Sequence, residues 1–351
     1  ARKCSKMETR SDSLHFSEVF EDSDECRRQF IVAVKTLETI LNESTELDPT
    51  SELALTLSEN CRLIRTCENV EVMDDVYHEI IASLKGLRLK KGNGDIFEFR
   101  RLYGMLLFSL GRKEAASKSL RDGLLALDSQ FAPISEKQKV VLTYYFKVHL
   151  GTIKFWMSNF HSSKTYLVSC REMFLETQQD DFIFKTVVFH IQCLNYLAWI
   201  SVTEEDIEKA ISFLEEAVHI IEVAEVATSG RVPEEFDTIR HKVILYSSMA
   251  QIFQEHDCKE SETNALLRVE SLLKTQPSPS LESKKKHITV LRRLAELRVQ
   301  SSLVESVYFL VSALKLTARM SESTGNNDLM DIYMMLLSEY NVWSRGHRPR
   351  S

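Results

Sequence analysis

Six prolines punctuate the 351-residue chain (Pro49, Pro133, Pro233, Pro277, Pro279 and Pro349), and each falls between stretches that carry a helical pattern. With only ten glycines beside them, long segments contain nothing that breaks a helix. From about Asp22 to Trp343 the apolar residues recur at three- and four-residue spacing, segment after segment. The expectation is an all-α chain of paired antiparallel helices.

A hydrophobic share of 44% with 27% charged residues suits a folded protein and excludes wholesale disorder. A length of 351 residues asks either for two or three compact domains or for one repeat array. Net charge is −7 with both signs interspersed, which argues against a general nucleic-acid or membrane binder. The short basic runs Arg88 to Lys91 and Lys284 to His287, and Arg345, Arg348 and Arg350, read as solvated loop or terminus. Seven scattered cysteines form no CxxC pair, so neither a zinc site nor a disulfide framework is expected. Cys170 and Cys193 lie on apolar helical faces, as small core residues do. Together with the absence of a run of 18 apolar residues or a signal-peptide core, this suggests a reducing, intracellular setting, cytoplasm or nucleus.

Residues 1–21 are polar and irregular and read as a flexible arm. Helices are expected from Ser23 through Phe30, Ile31, Val34, Leu37 and Leu41, then through Leu53, Leu57, Cys61 and Ile64, then from near Val72 to Leu87. These N-terminal helices, 22–92, would form a degenerate repeat. Lys90 to Asp95 reads as a loop; its GxG has no preceding strand and no third glycine, so it is no dinucleotide fingerprint.

Beyond that loop the chain repeats itself, over 95–323. Gly104 in one helix is followed by Ala116, Leu120 and Gly123 in the next. Gly151 is followed by Ser163, Leu167 and Cys170, and Leu197-Ala198 by Ala210, Leu214 and Ala217. Ala116, Ser163 and Ala210 are 47 residues apart each time. Weaker copies hold Ala250, Glu262 and Leu266, then Ala295, Leu310 and Ala313, the last with a turn one residue shorter. Glu262 stands where a small residue belongs, so a bent or shifted fourth copy is expected. A helix within 327–344 has the place of a cap, followed by a basic tail at 345–351. Small residues let two helices of a hairpin approach closely, and the exposed flank of each hairpin must be covered by the next.

These residues resemble the tetratricopeptide repeat: large then small in the first helix; small, bulky, small in the second. The period of 47 exceeds that family's 34, so longer helices are expected. The resemblance implies an α-solenoid with no cofactor, whose groove is lined by the first helix of each pair. Carried over, the groove positions are Arg101, Met105 and Phe108; Tyr145, Val148, Thr152, Phe155 and Trp156; Gln192, Asn195 and Trp199; Ser247, Gln251 and Gln254; and Arg292 and Glu296. Of these, Phe108, Tyr145, Phe155, Trp156, Gln192, Asn195, Trp199 and Gln251 form the candidate partner-binding set, with Trp199 expected to be partly exposed. Aromatics beside amides suit an extended peptide or a helix. Arg101 and Met105 replace the Lys and Asn with which some family members clamp chaperone tails, so that role is not expected.

No catalytic constellation stands out. His78-Glu79 lacks the second histidine of a zinc helix. His190 and Cys193 lie one turn apart without a third partner, and His219 reads as a core or rim residue. Asp180-Asp181 and Glu204-Glu205-Asp206 suit helix starts. The sequence thus suggests no enzyme but an interaction scaffold or adaptor with protein partners, a second copy of the chain among them. The alternatives are a regulatory helical domain of a larger protein, an enzyme included, and a nucleic-acid-associated helical protein.

Overall fold

A computed structural model describes residues 23–43, 52–67, 69–84, 93–128, 134–177, 180–227, 237–277, 279–299 and 301–324. The expected arm at 1–21, cap at 327–344 and tail at 345–351 lie outside the described residues. Thirteen helices and no strand occur among those described. They are α1 (Ser23–Glu43), α2 (Glu52–Thr66), α3 (Val70–Leu84), α4 (Asn93–Ser109), α5 (Lys113–Asp128), α6 (Glu136–Trp156), α7 (Phe160–Glu176), α8 (Asp180–Thr203), α9 (Ile207–Ala227), α10 (Thr238–Glu255), α11 (Lys259–Thr275), α12 (Leu281–Arg298) and α13 (Leu303–Thr324). The chain divides into two compact units, one over Ser17–Ile200 and one from Ser201 onward. Within the first, α4 pairs with α5 and α6 with α7; within the second, α10 pairs with α11 and α12 with α13.

One turn recurs between paired helices. The Gly111 amide donates to the Phe108 carbonyl and the Arg112 amide to that of Leu107, both at 2.9 Å. This crossed pair of bonds closes a helix when the residue after it takes a left-handed conformation. Gly111 does so with φ of 77°. The same two bonds form at Ser158 and Asn159, at Glu205 and Asp206, and at Asp257 and Cys258. There, non-glycine residues take the positive φ: Ser158, Glu205 and Asp257 at 57°, 64° and 54°. The fifth turn is shorter: the Ser301 and Ser302 amides both donate to the Arg298 carbonyl.

The repeated turn fixes a repeated register. The fourth residue of each second helix (Ala116, Ser163, Ala210, Glu262, Ser306) is no more than 2% exposed. The eighth is leucine every time: Leu120, Leu167, Leu214, Leu266 and Leu310. In the first two pairs the leucine faces a glycine so closely that a Cβ on Gly104 or Gly151 would lie 2.6 Å from Leu120 or Leu167. Ser163 donates its hydroxyl to the Gly151 carbonyl at 2.7 Å, and Ser306 to that of Ala295 at 2.8 Å. The fourth copy is therefore in register, contrary to expectation. Its buried Glu262 carboxylate is met by Arg293 of α12 at 2.6 and 3.1 Å, which offsets the desolvation that would otherwise exclude a charge there.

The N-terminal helices pack against the first pair. Phe30 of α1 lies against Phe99 and Tyr103 of α4, with centroids at 5.2 and 5.5 Å. Tyr77 of α3 stacks on Tyr103 at 3.7 Å, and the Tyr103 hydroxyl donates to Asp74. Burial and the adjacent carboxylate hold that phenol well above its usual range. α4 begins at Asn93, so Asn93 to Asp95, read as loop, form its first turn; a Cβ on Gly94 would lie 2.8 Å from the Gln138 amide nitrogen.

Candidate partner-binding face

The candidate face is built from α4, α6 and α8 of the first unit. Arg101 organises it. Its Nε donates to Glu98 at 2.8 Å, its Nη2 to the other oxygen of that carboxylate, and its Nη1 meets His149 Nε2 at 2.7 Å. The guanidinium also lies 5.3 Å from the Tyr145 ring and 6.0 Å from that of Phe189. Burial, reinforced by the Arg101 charge, pushes His149 well below its ordinary range, so it stays neutral and accepts the Arg101 proton donor. Three successive first helices are thereby tied together by one side chain.

Around this knot the aromatics are half-buried. Tyr145 packs on Phe189 at 4.8 Å and its hydroxyl donates to the Lys185 carbonyl at 2.8 Å. Phe155 touches Trp156, Phe160 and Tyr196 with centroids 5.1 to 5.9 Å away, and Trp156 Nε1 donates to the Tyr196 hydroxyl at 3.3 Å. Gln192 is half-buried too.

The other candidates of this unit are closed off. Phe108, Met105 and Arg101 are 6–9% exposed, because α6 packs directly on α4. Asn195 is 2% exposed and Trp199 is fully buried, so the expected exposure of Trp199 is not found. The reason lies in α8: from His190 to Ile200 every residue but Gln192 is buried, as for a helix apolar all round. Its stretch Lys185–Thr203 is long and apolar enough to cross a membrane, yet most of it is buried inside the protein, as in a core helix. In the second unit Gln251 is half-buried and bonds Glu255 at 3.3 Å. The periodicity missed Glu98, His149 and Phe189; the available signal was a histidine set among apolar residues one repeat and one residue beyond Arg101.

His190 and Cys193 do not face one another as a dyad. His190 Nδ1 meets the Tyr144 hydroxyl at 2.9 Å and its ring stacks on Phe174 at 3.7 Å, while the Cys193 thiol donates to the Leu167 carbonyl. Burial, with a smaller push from Arg171, lowers His190 to about 3. His219 is exposed. No cluster of three potential metal ligands occurs among the described residues.

No protein-family model and no curated protein sequence matches the chain. Solved structures do. BtubC (BKLC) from P. vanneervenii is 13% identical with a TM-score of 0.51, over 77% of this chain and 93% of that one. The apo form of RapI is 12% identical with a TM-score of 0.53, over 90% of this chain and 86% of that one. At these identities the likeness is one of fold, an all-helical array of helix pairs, and it is the repeated turn and small-residue register that resemble the tetratricopeptide repeat.

Proposed function

We propose that the chain is a non-catalytic interaction scaffold or adaptor that holds a peptide or helix of a partner protein against the first helices α6 and α8. The observation that supports this reading is the group of half-buried aromatics Tyr145, Phe155 and Trp156 beside Gln192, set on helices that Arg101 holds in place. Large aromatics supply much contact area for little side-chain entropy, and an amide can bond a partner's backbone. Trp199, Asn195 and Phe108 are buried and lie outside this surface.

The test is capture of partner proteins from cell extract by wild type, by a Phe155→Ala/Trp156→Ala variant and by Trp199→Ala. The first variant should weaken capture about tenfold, the equivalent of ~1.4 kcal/mol. Trp199→Ala should instead lower the melting temperature, since emptying a fully buried indole site costs roughly 3–5 kcal/mol. Undiminished capture of the same partners by the folded double variant would refute the assignment.

A further inference from the structure

The second helix of the last pair differs from its counterparts on its exposed side. The second position of these helices holds Glu114, His161, Glu208 and Glu260 in the first four pairs, and Val304 in α13. The sixth holds Lys118, Thr165, Ser212 and Asn264, and then Tyr308. All ten residues are exposed, Val304 at 81% and Tyr308 at 55%. From Val304 the apolar residues continue through Val307, Val311, Leu314 and Ala318, the last four half-buried. This alternation of three and four draws one stripe along the helix. In no other pair are more than two of these five positions apolar.

The stripe borders the side on which a following helix would sit. The position of Leu314 holds Glu270 in α11, and Glu270 lies 3.9 Å from His287 of the following helix α12. Among the described residues no helix follows α13. We propose that the segment Leu329–Trp343 of the same chain docks on this stripe, antiparallel to α13. Eleven of its 15 residues are apolar. Its spacing predicts a helix with Tyr333, Leu336, Leu337, Tyr340 and Trp343 on one face.

Reach, length and charge agree. Gly325 to Asp328 join the segment to α13, and four residues span up to about 13 Å, more than the roughly 8–10 Å between packed helix axes. A helix of this length is about 22 Å long, and the stripe from Val304 to Ala318 runs about 21 Å. The register that sets Trp343 level with Tyr308 sets Tyr340 level with Val311 and Asp331 within one residue of Arg319. Lys315 and Arg319, both exposed, flank the stripe, whereas the segment's charges are Asp331 and Glu339. A second copy of the chain is the weaker occupant. The stripe supplies six side chains, against the roughly 20–30 residues a side of a stable dimer. A segment on so short a tether acts at an effective concentration on the order of millimolar, which a free second copy does not reach. The inference stands apart from the scaffold reading, which concerns the other unit of the chain.

Paired cysteines in the full chain provide the test. Val311→Cys is combined in turn with Leu337→Cys, Tyr340→Cys and Trp343→Cys, with Cys258→Ser removing the exposed thiol. Mild oxidation should close a disulfide within one chain, fastest with Tyr340→Cys, as mass spectrometry of the monomer would show. Hydrogen exchange gives a second readout without new cysteines. Amides of 329–343 should be protected in wild type and should exchange about tenfold or more faster in Val307→Lys/Val311→Lys, while those of α10 change little. The milder Val311→Ala should fall between, which keeps the test open if the lysines perturb folding. Disulfides formed only between chains would assign the stripe to a second copy and overturn the inference. So would the absence of a disulfide in all three pairs, or unprotected exchange of the segment in wild type.

Discussion

Removing Arg293 should damage this protein far more than removing the glutamate it pairs with. The Glu262 carboxylate is 2% exposed and sits at the position that Ala116, Ser163, Ala210 and Ser306 occupy in the other pairs. Arg293 holds it with two nitrogens, yet its own side chain is 31% exposed and also reaches Glu296 at 2.9 Å. In Arg293→Met the carboxylate stays buried without its cation, a loss of about 3–5 kcal/mol. Glu262→Ala instead makes the fourth pair resemble the first and third. Arg293 then keeps Glu296 and access to water, so the loss is about 1 kcal/mol. Urea denaturation at neutral pH with unchanged slope would give both values. The double variant Glu262→Ala/Arg293→Met should recover to within about 1–2 kcal/mol of wild type. Equal losses in the two single variants would refute the reasoning, because the carboxylate could then not be a desolvated charge in a small-residue site.

Gly151→Ala should destabilise by about 1–3 kcal/mol despite alanine's better helix propensity, because the new Cβ would lie 2.6 Å from Leu167 Cδ2. Combined with Leu167→Ala it should cost less than the sum of the single changes, as denaturant melts of the three variants would show. Buried neutral histidines should make the fold acid-sensitive. His190 titrates near 3 in the folded chain against about 6.5 when unfolded, so the unfolded state binds the proton first as pH falls. Stability is therefore full above about pH 6.5 and is lost toward pH 3, at up to about 1.4 kcal/mol per pH unit. His190→Gln should flatten that slope in denaturation curves taken at pH 7 and pH 5, and an unchanged slope would assign the acid loss to other groups.

The helical class was legible because proline reports directly on where a helix must stop, and here the prolines are few and fall between the helical patterns. The pairing register was legible because close approach of two helices admits few residue types, so Ala116, Ser163 and Ala210 repeat with the geometry itself. Glu262 defeated the same logic: a carboxylate can replace a small residue when a cation arrives from another helix, and Arg293 lies 31 positions away. Trp199 defeated it differently. Periodicity separates a buried face from an exposed one only where the helix is two-sided, and α8 is apolar almost all round, so repeat offsets alone could not show which flank was covered.

Charge was legible but averaged away. A net of −7 describes no part of this molecule well, since residues 137–171 hold six cations and no carboxylate. The arrangement has a physical logic in a repeat protein. The small-residue crossings and leucine contacts that set the register within a pair are uncharged. Surface charge can therefore vary from pair to pair without altering the register that sets the fold. The pairs keep their geometry through Gly104, Gly151 and the recurring leucines, whatever charge their surfaces carry.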